Sequence, residues 1–556
     1  MLRIGILTDG EQLSAWAFEM LSKIQEEGYG EIVLIIENQT PKSSGKKSPL
    51  LYRLYRAIDR RLFRTKQDAF SLKKISDLPN FTAQKMEIWP VQKKYTDDIS
   101  STDLDSLRTW DLDIIIRLGF RILKGEILRL PKYGVWSYHH GDNRVNRGGP
   151  PCFWEVMKGE ETTGSILQIL SEKLDDGQVI YRSWSHTDPL SVQRNANRVF
   201  WKSCYFAPRM IKKLSFLGEQ RWKEEIQRLQ DSPGDYTANM YRPPNGGVMF
   251  ALWVKLWVNN GLRIVKEYAK KPHWEIFISS KSNKVEVKHS DEALHSALKP
   301  IKNSILASNF TPLISTNTSR YYADPFVVER DAKTYLFFED YDKKSQKARI
   351  SFAEWKGSQL DQVCPIIEES WHLSYPFIWE YEGDFYLIPE SAEAGHLYLY
   401  KAESFPNKWV NVGVWFEGEA YDPTVHYQDD KYWLFVNQKS HQACSSFDEL
   451  YLYYSDTFLN PTWVCHPMNP IVSDVRNARP AGKIFANGKL LIRPAQDSGK
   501  FYGHRIKLQS ITALSKDEYQ EETVDMLESD FSPTIIGTHT INSSENYLVL
   551  DGYSRL

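Results

Sequence analysis

Asp324-Pro325-Phe326-Val327-Val328, followed by Tyr335-Leu336-Phe337-Phe338-Glu339, is a stretch that returns down the C-terminal half of the chain. The second copy is Tyr375-Pro376-Phe377-Ile378 before Phe385-Tyr386-Leu387-Ile388-Pro389-Glu390, and the third is Asp422-Pro423-Thr424-Val425 before Tyr432-Trp433-Leu434-Phe435. Arg479-Pro480-Ala481-Gly482-Lys483-Ile484 before Leu490-Leu491-Ile492-Arg493 makes a fourth, and Ser532-Pro533-Thr534-Ile535 before Tyr547-Leu548-Val549-Leu550 a fifth. The period is about 50 residues, the signature of a radially repeated fold. Each copy reads as a strand, a short turn such as Glu382-Gly383-Asp384, and a second apolar strand, which is how a propeller blade begins. A Pro at the start of an innermost strand is tolerated because that strand borders the central channel and one N–H need not join the ladder. The residue before each Pro then faces the channel mouth, so five copies predict a five-bladed propeller with Asp324, Tyr375, Asp422, Arg479 and Ser532 around one end.

Upstream of about residue 215 the pattern changes to alternating strands and helices. Ile4 to Leu7 is a short apolar strand, Gln12 to Glu27 has helical apolar spacing, and Glu31 to Ile36 is a second strand. Leu112-Asp113-Ile114-Ile115-Ile116 is a buried-strand run ending at Arg117. This order predicts an open, mainly parallel Rossmann-type sheet with ligands beyond the carboxyl ends of its strands. The fold class is therefore multidomain, α/β followed by all-β, with 1–215 as the α/β domain, 216–271 as a helical linker and 272–556 as the propeller.

The 556 residues have a net charge of −2, which gives no global bias toward nucleic acid or anionic lipid, so any such preference must be local. Five scattered cysteines without a CxxC pair exclude a disulfide framework and a structural zinc, and no metal is expected. Met1 to Leu7 runs into Thr8-Asp9-Gly10 and lacks the apolar run of a signal peptide, and the longest apolar stretch, Val248 to Val258, is short for a bilayer and contains Lys255. A cytoplasmic location is expected, with the segment from Met249 to Lys271 packing between domains. Lys42 to Lys66 is a basic insert in which Asp59 is the single acid. Within it Leu51, Leu54, Tyr55, Ile58 and Leu62 share one helical face, with arginines largely around them. That pattern suits a helix docked on its own domain, a protein partner, or peripheral contact of residues 50–66 with the inner membrane face or a lipid-linked substrate.

Gly134-Val135-Trp136-Ser137-Tyr138-His139-His140-Gly141-Asp142 begins an ordered set of motifs. It continues with Arg147-Gly148-Gly149-Pro150-Pro151, Gly164-Ser165-Ile166-Leu167 and Leu174-Asp175-Asp176-Gly177-Gln178-Val179-Ile180. The set resembles the catalytic half of the folate-dependent formyltransferases, which act on methionyl-tRNA, glycinamide ribonucleotide or sugar nucleotides. The resemblance covers about 1–215 and is sharpest between 110 and 185. It implies that His139 and Asp175 take the positions of the family histidine and aspartate. Ser137 stands where the family has Asn, and Gly141-Asp142-Asn143-Arg144 replaces the family's Ser-Leu-Leu-Pro loop. It further implies 10-formyltetrahydrofolate as donor, an amine as acceptor, and Phe120, Ile122 and Leu123 as candidates for lining a pterin pocket. In such a reaction His, oriented by a carboxylate, removes the amine proton and helps hold the tetrahedral oxyanion.

The propeller is similar to those of glycoside hydrolase families with an Asp-Pro strand start, and more loosely to that of plant glucosamine inositolphosphorylceramide transferases. This resemblance points to Asp324, Tyr375, Glu390, Asp422 and Arg479 as substrate-binding residues at the channel. Tyr375 and Arg479 dilute the carboxylates, so saccharide binding without efficient cleavage is expected. Together these readings give a formyltransferase-like transferase of surface-polysaccharide biosynthesis, acting on an amino sugar of a nucleotide-linked or lipid-linked saccharide. Two alternatives stand beside it: a repurposed formyltransferase fold acting as a recognition module, and a propeller-borne glycosidase or glycosyl transferase. Nucleic acid is not an expected partner, since a tRNA binder needs phosphate-neutralising cations that the charge balance does not supply.

Overall fold

The computed structural model describes residues 1–556 apart from 42–47, 174–176, 230–238, 270–271, 282–309, 314–318, 489, 530 and 556. The chain divides into two compact units, Met1–Arg263 with Ser440–Ser445, and Ile264–Lys439 with Ser446–Leu556.

The first unit is built on a seven-stranded sheet of β1 (Leu2–Thr8), β2 (Gly30–Asn38), β3 (Gln84–Ile88), β4 (Ile114–Arg117), β5 (Val135–His139), β6 (Thr162–Ile169) and β7 (Gln178–His186). Their spatial order is β7-β6-β5-β4-β1-β2-β3. The pairs from β5 through β3 are parallel, and β6 and β7 add antiparallel strands at the edge. Among the described residues the helices that accompany it are α1 (Ala15–Glu27), α2 (Leu50–Leu62), α3 (Ser101–Arg108), α4 (Trp154–Lys158), α5 (Val192–Ser203), α6 (Phe206–Arg228) and α7 (Gly246–Ala269). The centre of the sheet is apolar on both faces because helices cover both. Ile4, Ile6, Ile114, Ile116 and Trp136 pack with α1, α5 and α6, whereas Leu7, Leu34, Ile115 and Val135 pack with Leu104 and Leu107 of α3. The expected strands and the first helix are all present, each within a few residues of its predicted bounds.

Two expectations for the helices change. α2 does dock on its own unit, but Leu54 and Leu62 stay 48% and 63% exposed, and the residues it buries are Tyr55 and Asp59. The reason is polar: Asp59 accepts from Ser191 Oγ at 2.7 Å, Gln193 N at 2.8 Å and Arg56 Nη1 at 3.2 Å, and this capture rotates the leucine stripe outward. α7 buries Met249 and Leu256 against Tyr55 and Phe153 while Phe250, Val254, Trp257, Val258 and Leu262 remain exposed. Its apolar run also extends beyond Val258, and Gly246–Val265 is long and apolar enough to cross a membrane by length and composition.

The second unit is propeller-like. Arg320–Arg330, Lys333–Asp342, Lys347–Trp355 and Cys364–Ile367 form one antiparallel four-stranded sheet. Ser374–Tyr381 through Lys408–Glu417, Tyr421–Gln428 through Val464–Cys465, and Phe485–Asn487 through Tyr519–Leu527 form three more of the same plan. A further sheet joins Pro272–Ser280 antiparallel to Tyr547–Arg555, so strands from the two ends of the unit share one ladder. The inward strands carry the apolar load: Phe326, Phe337, Phe377, Leu387, Leu434 and Val436 are fully buried. Asp324, Tyr375 and Asp422 each hold a positive φ, at 52°, 43° and 48°. At each the ladder slips, between Ala323 and Phe326, Ser374 and Phe377, and Tyr421 and Thr424. The repeat of the sequence is thus a repeat of the backbone, a bulge that re-aims the residue before each Pro.

Candidate functional site

Four of the five pre-proline residues, three of them at the bulges and the fourth Arg479, come together in the second unit. Tyr375 N donates to Asp324 Oδ2 at 3.1 Å, and Asp324 N donates to Asp551 Oδ2 at 3.1 Å. Arg479 grips Asp422 with both arms of its fork, Nε to Oδ2 at 2.5 Å and Nη2 to Oδ1 at 3.0 Å, and the same Nη2 reaches Glu390 Oε2 at 3.0 Å. The Tyr375 hydroxyl meets Thr424 Oγ1 at 2.8 Å and accepts from Gly482 N at 2.8 Å. Gln496 Nε2 donates to Asp422 Oδ2 at 2.8 Å.

Ser532 does not join them. Its hydroxyl lies 3.4 Å from Thr534 Oγ1, and the fifth sheet is represented instead by His539, Thr540 and Asp551. The physical reason is that Ser532-Pro533 leads into Ile535–Gly537, which pairs with Tyr553 and Ser554, while His539 and Thr540 precede Ile541–Ser543, which pairs with Leu548, Val549 and Leu550 further along the same strand. Thr540 Oγ1 donates to Asp324 Oδ1 at 2.5 Å, and His539 lies between two carboxylates, Nδ1 at 2.6 Å from Asp551 and Nε2 at 3.5 Å from Asp324.

Sequence reading missed Glu339, Gln496, His539 and Asp551. Two of these carried a signal: Leu336-Phe337-Phe338-Glu339 and Leu548-Val549-Leu550-Asp551 repeat the Leu387-Ile388-Pro389-Glu390 pattern, placing an acid at the inner end of the second strand. Gln496, His539 and Thr540 lie outside that pattern.

The electrostatics are uneven. Burial pushes the Glu390 and Glu339 carboxyls well above the usual range, with neighbouring carboxylates adding to the effect. Burial also pushes Asp422 up, but the Arg479 guanidinium outweighs it and holds Asp422 below its ordinary value. Asp324 is pushed up to about 6, chiefly by burial and against the pull of His539. Burial lowers the His539 pKa, yet Asp551 and Asp324 prevail and raise it, favouring the protonated imidazole. Asp324, His539 and Asp551 also bring three ligand atoms within 4.8 Å of one another, close enough to share one ion if the imidazole gave up its proton. Arg479 lies beneath the rings of Phe447, Tyr502 and Tyr421, at 4.6, 5.7 and 5.5 Å from their centroids. The result is a buried floor of mixed charge under an aromatic rim, of which Tyr502 is 42% exposed. Such a floor accepts from and donates to hydroxyls, and such a rim stacks on a sugar face.

The first unit carries the formyltransferase-like motifs at the carboxyl end of β5. Alternation along the strand sends Trp136 and Tyr138 to one face and Ser137 and His139 to the other. Ser137 is 1% exposed, and its Oγ accepts from Arg117 Nε at 3.1 Å and Nη2 at 3.0 Å. Arg117 is its register partner on β4. His139 is half-buried with Nε2 3.0 Å from the Asn146 carbonyl. His140 turns inward, stacked on Phe200 with 3.5 Å between centroids and 2.9 Å from Ser203 Oγ; burial lowers its pKa to about 3, and it is a neutral structural residue. Asp142 is held by Arg182 Nη1 at 2.6 Å and Trp184 Nε1 at 3.1 Å, beside Gly164, where a Cβ would lie 2.7 Å from its own. Asp175 lies outside the described residues. Phe120 and Leu123 are buried in the core with Leu7 and Leu34, and Ile122 is half-buried on a short strand.

Residues 280–534 match the family described as glucosamine inositolphosphorylceramide transferase 1, N-terminal. The glucosamine inositolphosphorylceramide transferase 1 of Arabidopsis thaliana is 34% identical over 230 residues, 40% of this chain and 30% of that protein. The methionyl-tRNA formyltransferase of Prochlorococcus marinus (strain MIT 9215) is 33% identical over 144 residues, 26% of this chain and 42% of that protein. Among solved structures, a family 117 glycoside hydrolase of Zobellia galactanivorans aligns with a TM-score of 0.32 at 15% identity, covering 44% of this chain and 87% of that one. The chain spans less than half the length of the two curated relatives, and its two parts resemble different ones: a formyltransferase-like part is fused to a part resembling the transferase N-terminal region.

Proposed function

We propose that the chain is a glycan-related transferase whose second unit, a five-bladed propeller, holds a saccharide at its channel mouth. In this reading the first unit passes a one-carbon or acyl group to an amine of an amino sugar on a nucleotide-linked or lipid-linked saccharide. The observation that carries it is the convergence of Asp324, Tyr375, Glu390, Asp422 and Arg479 beneath Tyr421, Phe447 and Tyr502. The blade count rests on the five sheets and on the ladder between Pro272–Ser280 and Tyr547–Arg555. Similarity of this unit to a transferase named for glucosamine and inositolphosphorylceramide supports a ligand of that chemistry, an amino sugar joined to an inositol phosphate. Arg479 weighs against a glycosidase here, because it already bonds Asp422 and Glu390, two of the three carboxyl groups, with Asp324, that such a reaction would draw on.

The donor implied by the first unit is 10-formyltetrahydrofolate, and the strand end does not fit it in the manner of the motif. Ser137 replaces the amide donor, and its hydroxyl is engaged by Arg117. No step is therefore assigned to the folate, and the same pair of bonds favours a second reading in which this unit is a repurposed recognition module. His139 remains the candidate base in the first reading, with its Nε2 held by the Asn146 carbonyl.

Titration calorimetry of the full chain tests both parts. Binding of glucosaminyl-inositol phosphate that is lost in Asp422→Asn supports the propeller site; no binding by the unaltered chain refutes it. Binding of 5-formyltetrahydrofolate that weakens in His139→Ala supports group transfer from a folate, and its absence supports the recognition module.

A further inference from the structure

The outward face of α7 is apolar from Phe250 to Leu262, and among the described residues of its unit nothing covers it. Phe250, Val254, Trp257, Val258 and Leu262 recur at i, i+4, i+7, i+8 and i+12, the spacing of one helical face, and are 61%, 45%, 64%, 53% and 56% exposed. Only 11% of the best 18-residue window in Gly246–Val265 is buried, although the mean hydropathy there is 1.2. The opposite face is committed: Met249 and Leu256 are buried, Leu252 and Trp253 half-buried, and Trp253 meets Tyr55 of α2 edge-on at 5.7 Å. A helix fixed on one side by its own core cannot turn across a bilayer without tearing that core open, so it offers its free face in the plane of a surface.

The charges on these helices are mostly basic. From Gly246 to Ala269 the sequence carries Lys255, Arg263 and Lys266 against one acid, Glu267, near the C-terminal end. On α2, which packs against α7 through Leu51, Tyr52 and Tyr55, Arg53, Arg60 and Arg61 are exposed together with Leu50 and Leu54. The one acid of that helix, Asp59, is 3% exposed and bonded to Ser191 and Gln193. A second protein would meet these helices with mixed charge of its own, whereas an anionic lipid surface offers what they lack, hydrocarbon bordered by phosphate.

We propose that α7 and α2 form an interfacial anchor that seats the first unit on an anionic membrane surface, with the α7 aromatic and aliphatic side chains below the headgroups and the α2 arginines among them. This proposal is independent of which group the chain transfers or which saccharide it holds.

Flotation of the full chain with vesicles tests it, using phosphatidylcholine alone and an equimolar mixture with phosphatidylglycerol, beside light scattering for oligomeric state. The unaltered chain should float with the anionic vesicles and not with the neutral ones. Phe250→Ser, Trp257→Ser and Leu262→Ser together should abolish flotation, and thermal melting should match the parent because all three side chains are exposed. Arg53→Glu, Arg60→Glu and Arg61→Glu together should weaken partitioning by about 100-fold or more, since each cation near such a surface contributes about a fivefold factor and reversal adds repulsion. Failure of the unaltered chain to float overturns the proposal, and so does equal flotation of the serine variant. A parent dimer that the serine variant makes monomeric, with no change in lipid binding, would instead assign the face to a second copy of the chain.

Discussion

Arg479→Met is the substitution that most directly interrogates the second unit. The side chain is 8% exposed, makes three charge-assisted bonds to Asp422 and Glu390, and is the cation nearest to both. Methionine fills a similar volume, so the loss is electrostatic rather than a cavity. Removing one partner of a buried ion pair costs about 3–5 kcal/mol, because the charge left behind has neither water nor counter-ion. For a unit of this size, roughly 2 °C per kcal/mol makes this a fall of about 6–10 °C in the midpoint of its thermal transition. The pH dependence is as informative as the size. Asp422 is held below its ordinary value by Arg479, so in the parent its contribution is present above the unfolded carboxylate pKa of about 4 and is lost as pH falls through the lowered folded value. In the variant that pull is gone, Asp422 titrates higher, and protonation relieves the penalty on acidification. The gap between parent and variant should be widest near neutral pH and narrow toward pH values around 4. Circular dichroism melts and urea titrations across that range measure it. A gap under about 1 kcal/mol near neutral pH, the worth of an exposed pair, or a gap that does not change with pH, would refute the buried-pair reasoning.

His139→Ala should lower any transfer activity by about 100-fold or more while leaving the melting temperature unchanged, because the ring is half-buried and makes one bond, to the Asn146 carbonyl; activity and melts on the same preparation check it. His539, whose pKa is raised by Asp551 and Asp324 against burial, contributes stability that is complete below the unfolded value of about 6.5 and is lost as pH rises through the higher folded value. The parent should therefore melt lower in mildly alkaline than in neutral buffer, and His539→Gln, lacking the titration, should melt lower than the parent at neutral pH and show no such decline.

The second unit was legible where a proline marked it. Pro325, Pro376 and Pro423 sit at the bulges, and the residue before each points to the cluster, because the repeat that the eye finds in the sequence is also the place where the backbone departs from a regular strand. The fifth copy misled because the residues that reach the cluster, His539 and Thr540, precede a second partner strand starting at Ile541 with no proline directly ahead of it, while Ser532-Pro533 leads into the first partner strand, Ile535–Gly537. In the first unit, helical spacing identified α2 but not its buried side. Spacing sees leucines, and what fixes the helix is one carboxylate captured by Ser191 and Gln193, more than a hundred residues away in sequence. The engagement of Ser137 by Arg117 was hidden for a similar reason: it depends on the register of β4 against β5, which places the two opposite each other.

The positive φ angles at Asp324, Tyr375 and Asp422 bear on what the cluster is for. A non-glycine residue in the left-handed region costs on the order of 1–2 kcal/mol, and proline in the next position does nothing to relieve it. Three such residues at equivalent places would be an odd way to stabilise a propeller whose sheets are already filled with Phe326, Phe377 and Leu434. What the distortion achieves is convergence: it brings the Tyr375 N–H to Asp324, Asp324 to Thr540 and His539, and Asp422 to Arg479 and Gln496. Each strained residue contributes a polar group to one floor, and the bonds among those groups offset the strain only because all three are present. Their coincidence ties the backbone irregularity to the polar cluster, so the bulged pre-proline position is where this unit gives up local backbone stability for convergence of polar groups.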